Sequence, residues 1–207
     1  MRKPDCIKIL DKKLPQDVLV VTPTGKTYMY WEATDREAQI SQLNLGLCTP
    51  VGLGLALALP HRKVVVLDGD GNLLFNLASI ADLAVQNPGN LVDIVFDNEC
   101  YQSCDSFPSV TAKGVDLEAI AKGCGIKNTW TVRELEQFEQ AIDKALGSDQ
   151  LTFIIAKVTP GEDLVSLPRQ EGRENKYRFV RYVERTENIR IINPYPRRRK
   201  KDFLPSY

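Results

Sequence analysis

Apolar residues in this 207-residue chain occur in short continuous runs, separated by stretches with a helical spacing of apolar positions. Continuous apolar runs are typical of strands buried on both faces, which occur in parallel sheets between two layers of helices. The runs predict strands over residues 18–21, 63–68, 93–97 and 152–156. Because predicted helices alternate with them, the pattern indicates a doubly wound α/β fold, with a mostly parallel sheet and helices on both faces.

The segments between these strands have apolar residues at three- and four-residue spacings, which predicts amphipathic helices. The predicted helices cover residues 6–13, 73–86, 116–124, 133–146 and 172–187. Asp116 is suited to cap the start of one helix, and Gly147 follows another where glycine commonly ends a helix. Composition shifts after Pro160. We therefore expect one ligand-binding α/β domain over 1–160, and over 161–207 a helix and a basic tail that pack on the domain or on a partner.

Composition and charge exclude several classes of protein. Hydrophobic residues make up 43% of the chain, which is enough for a core, and basic and acidic residues number 27 each. The resulting net charge of zero gives no overall attraction to nucleic acid or anionic membranes. The sequence has no signal-peptide pattern, no run of about 18 apolar residues and no CxxC pair among its five cysteines. These features predict a soluble cytoplasmic protein.

The residues most suited to chemistry follow two predicted strands. One strand leads directly into the sequence DGDGN at 68–72, and Asn98 follows the next strand. In a doubly wound sheet, the carboxyl ends of parallel strands are where ligands bind. The two glycines of the first turn permit a phosphate to approach the backbone, and the helix that follows supplies amide donors. The carboxylate of Asp70 and the amide oxygen of Asn98 suit Mg²⁺, so this edge is predicted to bind a magnesium–diphosphate group.

The GDG triplet at 69–71, the spacer 72–97 and then Asn98 together resemble the signature of thiamine-diphosphate enzymes. The resemblance implies a thiamine-diphosphate-binding fold, with thiamine diphosphate and Mg²⁺ as cofactors. It implies that Asp70 and Asn98 hold the metal by their side chains and Cys100 by its backbone carbonyl. The amides of Gly71 and Asn72 would bind the diphosphate. The cofactor-binding residues implied are Leu43, Leu45, Gly69, Asp70, Gly71, Asn72, Asn98, Cys100 and Tyr101.

Four further segments resemble phosphonopyruvate and sulfopyruvate decarboxylases, with the similarity extending over roughly residues 5 to 185. They are Thr22–Thr27, Gly54–Ala58, Arg62–Gly71 and Glu174–Phe179. Sulfopyruvate decarboxylase is split into two subunits, and the length of this chain matches its cofactor-binding subunit. The resemblance therefore implies the diphosphate- and magnesium-binding subunit of a decarboxylase that acts on a small 2-oxoacid.

The family also implies a role for the segment LNLG at 43–46. In the family a GSMG segment places a bulky apolar side chain between the two cofactor rings and bends the cofactor. Alignment on Gly54 assigns this wedge to Leu45, and it assigns to Leu43 the carbonyl that accepts from the aminopyrimidine. In this chain, Leu43 stands where the family has the first glycine of that segment. The loop 101–107 also departs from the family's YGSTGGQ sequence, and we expect it to control the choice of substrate.

The resemblance implies a partner subunit. The family keeps the Glu that contacts the aminopyrimidine on a second, pyrimidine-binding domain, and this sequence predicts no second α/β domain. The catalytic Glu is therefore expected on a partner chain, with the cofactor in the interface. Self-association into a dimer or a larger hetero-oligomer is also expected.

Other interpretations stay open. The chain could belong to another thiamine-diphosphate lyase or carboligase, or be a non-catalytic regulatory subunit that keeps the fold. Lys26 is either a surface cation or a contact for an acidic substrate or partner, and the basic run 197–201 is either a solvated tail or a docking segment. A nucleotide P-loop at 25–27 is disfavoured, because that motif needs glycine where Val20 stands. His61 lies at the amino end of a predicted strand and is expected at the surface.

Overall fold

The fold is an α/β domain built on a six-stranded parallel sheet, with strand order β2-β1-β3-β4-β8-β7. The computed structural model describes residues 1–161 and 171–192, apart from the side chain of Gln42. The strands are β1 (Leu19–Pro23), β2 (Gln39–Leu43), β3 (Val64–Gly69), β4 (Leu91–Asp97), β5 (Cys100–Tyr101), β6 (Phe107–Pro108), β7 (Asn128–Val132) and β8 (Thr152–Lys157). The helices are α1 (Lys3–Lys13), α2 (Lys26–Glu32), α3 (Cys48–Ala58), α4 (Asp70–Leu73), α5 (Ser79–Gln86), α6 (Leu117–Cys124), α7 (Leu135–Leu146) and α8 (Gly172–Glu187).

Helices cover both faces of the sheet, which confirms the predicted fold class. On one face, α1, α2 and α7 bury Leu10, Trp31 and Phe138 against the sheet. On the other face, α3, α5, α6 and α8 form a second core that includes Leu53 and Phe179. The four predicted strands correspond to β1, β3, β4 and β8, whose residues are almost all buried. Burial on both faces explains why these strands have continuous apolar runs.

Strands β2 and β7 were not predicted, and both lie at the edges of the sheet. The sequence of β7, NTWTV, has two buried and three half-buried positions, and β2 has the polar sequence QISQL. Neither strand therefore has the continuous apolar run that identifies a central strand. Edge strands need less apolar surface, because fewer elements pack on them.

The single helix predicted over 73–86 was wrong. The structure has the short helix α4, then a 3₁₀ turn over Leu74–Asn76, and then α5. The Ser79 hydroxyl donates to the Asn76 carbonyl at 2.7 Å, and the Asn76 side chain donates to the Gly46 carbonyl at 3.1 Å. These side-chain hydrogen bonds compete with the regular helical pattern and favour a break at this point.

Helix α8 packs on the α/β domain. Phe179 lies in the core shared with α3, and the Asn175 side chain accepts from the Ser41 amide of β2 at 2.8 Å. Arg62 also fastens the helix, since its guanidinium donates to Tyr182 at 3.0 Å and to Glu187 at 2.5 Å. The basic run at 197–201 lies outside the described residues.

His61 is exposed and pairs with Glu187 at 2.7 Å, which confirms its predicted place at the surface. Cys100 and Cys104 are both free thiols. The described residues include no helix long and apolar enough to cross a bilayer.

A buried carboxyl in β4 gives a testable pH dependence of stability. Asp93 is fully buried and accepts from the Thr49 hydroxyl at 2.8 Å. Burial, and secondarily the charge of Asp68, raise the pKa of Asp93 well above its ordinary value. A raised folded-state pKa means that the folded protein favours the protonated carboxyl. The contribution of this group to stability is therefore complete below roughly pH 4, its ordinary pKa, and it is lost as pH rises through the raised pKa. We therefore expect Asp93→Asn, which cannot ionise, to gain stability relative to wild type as pH rises.

The measurement is urea unfolding of both proteins at pH 5, 7 and 9, with Asp82→Asn as an exposed control on α5. The difference in unfolding free energy between Asp93→Asn and wild type should become more favourable to the variant by about 1 kcal/mol or more over this range, since one pKa unit corresponds to about 1.4 kcal/mol. A difference that stays constant with pH would contradict the buried, ionisation-resistant state of Asp93.

Candidate functional site

The carboxyl ends of β3 and β4 bring Asp70 and Asn98 together. The two strands are parallel neighbours, with Gly69 opposite Phe96, so the residues that follow them meet at one edge of the sheet. Asp70 is 2% exposed and Asn98 is 6% exposed. Their proximity was predicted from the sequence, and the structure confirms it.

Both side chains line one cleft of about 250 Å³, which we call the β3–β4 cleft. Its other lining residues come from the end of β1 and the segment after it, from the turn 69–72 and from the loop that begins at Cys100, together with Lys3, Leu45, Phe75 and Phe96. Asp70 is the one carboxylate among the lining residues in the described part of the chain. The cleft has a largely apolar wall and a few polar groups, the composition typical of a small-molecule site.

Buried hydroxyl groups surround the carboxylate of Asp70. Its Oδ2 accepts from Ser109 Oγ at 2.7 Å. Thr111 Oγ1 lies 3.3 Å from the same oxygen, but it donates over the shorter distance of 2.8 Å to Asp97 Oδ1. Burial raises the pKa of Asp70, the Ser109 hydrogen bond opposes this rise, and the nearby charge of Asp97 adds to it. Ser109 and Thr111 were missed by sequence reasoning, because isolated hydroxyl residues in a loop have no periodic pattern.

The amide of Asn98 is oriented by its neighbours. Its Oδ1 accepts from the Cys100 amide at 3.3 Å, and its Nδ2 donates to Gln102 Oε1 at 3.3 Å. Gln102 in turn donates to the carbonyl of Gly161. Cys100 follows Asn98 closely and lines the same cleft, so its backbone is near the predicted metal position.

The segment 43–46 is fastened to the turn after β3. The Gly46 amide donates to Asn72 Oδ1 at 3.0 Å, and Asn72 also donates to Asp68. Gly46 has φ +77°, and a Cβ there would lie 2.8 Å from Asn76 Cβ, so this position needs glycine. The arrangement places Leu45 in the wall of the β3–β4 cleft, with 49% of its surface exposed.

Leu43 lies differently from Leu45. It is the last residue of β2 and packs against the core, and its carbonyl accepts from the Thr24 amide at 3.0 Å. The lining described for the β3–β4 cleft includes Leu45 but not Leu43. A carbonyl oxygen has two lone pairs, so the hydrogen bond to Thr24 leaves one acceptor position on Leu43.

Gly71 lies against an aromatic ring. A Cβ at this position would be 2.7 Å from a ring carbon of Tyr101, and Tyr101 meets Phe75 edge-on with ring centroids 6.3 Å apart. The glycine therefore allows Tyr101 to close over the turn at 69–72. With Leu45, this aromatic pair gives the cleft its apolar wall.

Two lysines also line the cleft, and sequence reasoning missed the first of them. Lys3 begins α1, and its Nζ donates to Thr27 Oγ1 at 3.2 Å and lies 5.7 Å from the centroid of the Phe96 ring. Burial lowers the pKa of Lys3 to about 8, and the charge of Asp70 opposes that lowering. Lys26 lies beside Thr27 in the lining. No sequence pattern joins residue 3 to a strand end, so this contact could not be predicted.

The side chains at this site suit a metal ion that takes few ligands from the protein and the rest from water and phosphate. No group of three or more His, Cys, Asp or Glu residues that could hold a metal occurs in residues 1–161 and 171–192. One buried carboxylate and one amide oxygen are instead the few protein ligands that suffice for Mg²⁺ when phosphate oxygens and water complete its octahedron. The site thus fits a magnesium–diphosphate group and does not resemble a closed metal cage.

Comparisons with known proteins agree with this geometry. Residues 24–156 match the family described as "Thiamine pyrophosphate enzyme, C-terminal TPP binding domain". Sulfopyruvate decarboxylase subunit beta of Methanocaldococcus jannaschii is 35% identical, over 88% of this chain and 97% of that protein. Phosphonopyruvate decarboxylase of Streptomyces viridochromogenes is 34% identical over 83% of this chain, but the match spans only 43% of that longer protein.

Solved structures show the same fold at lower identity. Benzoylformate decarboxylase from Polynucleobacter necessarius has a TM-score of 0.66 and 20% identity, over 79% of this chain and 34% of that chain. A thiamine diphosphate-dependent 4-hydroxybenzoylformate decarboxylase from Rhodococcus jostii has a TM-score of 0.64 and 22% identity, over 79% of this chain and 33% of that chain. Together with the match over residues 24–156, the strand-end placement of Asp70 and Asn98 leads to one conclusion. The chain belongs to the thiamine pyrophosphate enzyme family, as a C-terminal-type cofactor-binding domain.

Proposed function

We propose that this chain is the diphosphate- and magnesium-binding subunit of a thiamine-diphosphate-dependent decarboxylase that acts on a 2-oxoacid of the sulfopyruvate or phosphonopyruvate type. The observation that carries the proposal is the placement of Asp70, Asn98 and Leu45 in one cleft at the ends of β3 and β4. Similarity over nearly the whole length of a protein named sulfopyruvate decarboxylase subunit beta supports it.

In this proposal, Asp70 and Asn98 hold Mg²⁺ by their side chains and Cys100 holds it by its carbonyl. The amides of Gly71 and Asn72, in the first turn of α4, bind the diphosphate. Bound thiamine diphosphate supplies the nucleophile and the electron sink for loss of CO₂. The protein supplies the geometry in which that chemistry takes place.

The residues around the metal position keep its proposed ligands oriented. Ser109 holds the Asp70 carboxylate, and Gln102 holds the Asn98 amide, so both ligands are fixed before a metal arrives. Leu45, in the wall of the cleft, would contact the bound cofactor and favour its bent conformation. The apolar wall lowers the local dielectric constant and strengthens the polar contacts at the site.

The proposal requires a partner subunit. No Glu lies among the residues that line the cleft in the described part of the chain. Leu45, Phe75 and Phe107 are 49%, 62% and 67% exposed. Exposed apolar residues beside a cofactor site are suited to contact another chain. We infer that the partner brings a pyrimidine-binding domain with the catalytic Glu, and that the pair associates further into a symmetric oligomer.

A substrate panel tests the proposed function. The chain is co-purified with its partner, and CO₂ release is measured from 3-sulfopyruvate, 3-phosphonopyruvate, pyruvate and benzoylformate, with and without Mg²⁺ and thiamine diphosphate. We expect turnover that needs both cofactors, with the highest kcat/KM for one of the first two substrates.

The alternatives predict different results from the same panel. Formation of a carbon–carbon bond without net decarboxylation of these acids would favour a carboligase. The residues Tyr101, Gln102, Ser103 and Cys104, which replace the family's loop sequence, line the cleft and would then select a different acceptor. Cofactor binding without any turnover would favour the non-catalytic subunit.

A further inference from the structure

Asp97 is a buried carboxylate at the carboxyl end of β4 that the proposed metal site leaves without a role. It is 1% exposed and directly precedes Asn98, and in the described part of the chain it lies outside the lining of the β3–β4 cleft. Lys157, opposite it on β8, donates to its Oδ2 at 2.7 Å. Removing one partner of a buried ion pair leaves an uncompensated charge, so Lys157 keeps Asp97 ionised and in place.

Asp97 holds the backbone between two of the proposed metal ligands. Its Oδ1 accepts from the Glu99 amide at 3.0 Å, and Lys157 also pairs with the Glu99 carboxylate at 2.8 Å. Glu99 lies between Asn98 and Cys100 and has a φ of +62°, which is uncommon for a residue other than glycine. A backbone in this region persists where surrounding contacts hold it. Asp97 and Lys157 supply two such contacts, so they direct the backbone from which Asn98 and Cys100 extend.

The same oxygen of Asp97 is also linked to Asp70. It accepts from Thr111 Oγ1 at 2.8 Å. Thr111 Oγ1 lies 2.7 Å from Ser109 Oγ, the hydroxyl that donates to Asp70 Oδ2 at 2.7 Å. The Ser109 amide donates to the Glu99 carbonyl at 3.0 Å, which joins the two segments to each other. One buried carboxylate therefore contacts both segments that orient the three proposed metal ligands.

We propose that Asp97 and Lys157 are a positioning pair that sets the spacing of Asp70, Asn98 and Cys100, and that this spacing makes the site selective for a small divalent cation. This role rests on the proposed function and adds to it two residues that are not themselves ligands. Mg²⁺ requires near-ideal octahedral geometry at about 2.0–2.1 Å, whereas Ca²⁺ accepts oxygen ligands at about 2.3–2.6 Å in flexible arrangements. Rigidly held ligands therefore favour Mg²⁺, and a loosened site loses that preference.

The ratio of Mg²⁺ affinity to Ca²⁺ affinity separates this role from a general effect of charge. Replacing Asp97 or Lys157 changes the net charge near the site, and that change alters the binding of any divalent cation. Because the two ions carry the same charge, this effect largely cancels in the ratio. A loss of folding stability lowers both affinities and also leaves the ratio unchanged. A lower ratio therefore reports a change in the arrangement of the ligands.

Calorimetric titration of Mg²⁺ and Ca²⁺ into the complete complex, at saturating thiamine diphosphate, measures this ratio. Asp97→Asn leaves one oxygen where Asp has two, so it cannot accept from Lys157 and from the Glu99 amide through separate atoms. Asp97→Asn and Lys157→Met should each lower the ratio by about 10-fold, the lower end of the loss in affinity when a residue that orients a metal ligand is removed. Lys157→Arg keeps the charge and should keep most of the ratio. Thr111→Val breaks only the contact toward Ser109 and should lower the ratio by a smaller factor.

Lys13 offers a matched control for Lys157. It also bridges two carboxylates, Glu139 at 3.0 Å and Asp143 at 2.6 Å, and its side chain is 20% exposed, against 18% for Lys157. These contacts join the end of α1 to α7, and Lys13 lies at the opposite end of α1 from Lys3, which lines the cleft. Lys13→Met should therefore leave the ratio of Mg²⁺ affinity to Ca²⁺ affinity as in wild type.

Hydrogen exchange of the complex without metal or cofactor gives a readout that needs no bound ligand. The amides of Glu99 and Ser109 are the donors that join this loop to Asp97 and to itself. In Asp97→Asn, both should exchange about 5-fold faster than in wild type, as expected for the net contribution of one hydrogen bond. The amides of the central strand β1 should exchange as in wild type in the same experiment.

The outcomes separate the positioning pair from the proposed function. If wild type bound Mg²⁺ with the cofactor and the ratio stayed unchanged in Asp97→Asn and Lys157→Met, the positioning pair would be wrong and the proposed function would stand. Equal loss of both ions in Asp97→Asn, with Lys157→Met unaffected, would also overturn it, because Asp97 would then be a ligand. Failure of wild type to bind either ion would overturn the proposed function, whereas faster exchange in Asp97→Asn would still show that Asp97 fixes the ligand loop.

Discussion

In the complex with its partner, Asp70→Asn should bind Mg²⁺ and thiamine diphosphate at least about 100-fold more weakly than wild type. Replacing residues that merely support a metal ligand typically costs 10- to 100-fold in affinity, so loss of the charged ligand itself should reach the top of that range or exceed it. Asn has the shape of Asp and can still accept from Ser109. The variant therefore removes the negative charge without removing the side chain that Ser109 and Thr111 contact.

The same substitution should have the opposite effect on the protein without cofactors. Asp70 is 2% exposed, and no cation of the described residues lies within 4.0 Å of its carboxylate. A buried carboxylate without a paired cation destabilises a fold, and a neutral amide removes that cost. We therefore expect the melting temperature of the cofactor-free Asp70→Asn complex to equal or exceed that of wild type. Only the increase in melting temperature on adding Mg²⁺ and thiamine diphosphate should be lost.

Thermal unfolding of both complexes, with and without the cofactors, measures both effects. Cofactor at 100 times its Kd should stabilise wild type by about 2.7 kcal/mol, and should have little effect on Asp70→Asn. Asp82→Asn, on the exposed side of α5, is the control. If Asp70→Asn bound the cofactors as tightly as wild type, Asp70 would not be a metal ligand.

The buried central strands are the part of the fold that could be predicted from the sequence. The central strands β1, β3, β4 and β8 are covered by helices on both faces, and they therefore have the continuous apolar runs from which they were predicted. Three elements were not predicted, namely the edge strands β2 and β7 and the short helix α2. Fewer elements pack on them, and their sequences mix polar and apolar residues without a regular pattern. The break between α4 and α5 depends on hydrogen bonds between Asn76 and Gly46, which are 30 residues apart.

The residues of the candidate site also fall into two groups, those that could be predicted from the sequence and those that could not. Asp70 and Asn98 could be predicted because each directly follows a recognisable strand, and parallel strands end at the same edge. Ser109, Thr111 and Lys3 could not be predicted, since their positions depend on contacts with distant parts of the chain. These residues hold or surround the ligand groups without being part of a motif. A sequence motif therefore led to Asp70 and Asn98, the proposed metal ligands, whereas the structure was needed to find the residues that orient them and the cations beside them.

The chain without its partner should release no CO₂ from any 2-oxoacid, even with Mg²⁺ and thiamine diphosphate present. Within the described residues, the cleft has a carboxylate suited to the metal and no Glu suited to the far end of the cofactor. A positioned acid or base typically contributes 10²- to 10⁴-fold to a rate, so its absence should reduce turnover by about that factor or more. The exposure of Leu45, Phe75 and Phe107 lowers the expected activity of the lone chain further, because this apolar face is uncovered. Until another chain covers this face, water reaches the site and weakens the electrostatic contacts that the reaction needs.

Titrating the partner into this chain should restore CO₂ release, and activity should level off at a fixed ratio of the two chains. A partner in which the candidate Glu is replaced by Gln should form the same complex, as judged by its mass in solution, without restoring activity. That variant separates the chemical role of the Glu from the role of the interface, because it keeps the apolar cover over Leu45 and Phe75 and removes only the ionisable group. Phe75→Ser on this chain tests the role of the interface. It should weaken association with the partner, and it should leave the fold of the free chain intact because Phe75 is 62% exposed there. Robust turnover by this chain alone, as a monomer or as a homo-oligomer, would show that no partner is needed and that the catalytic Glu lies within the chain itself.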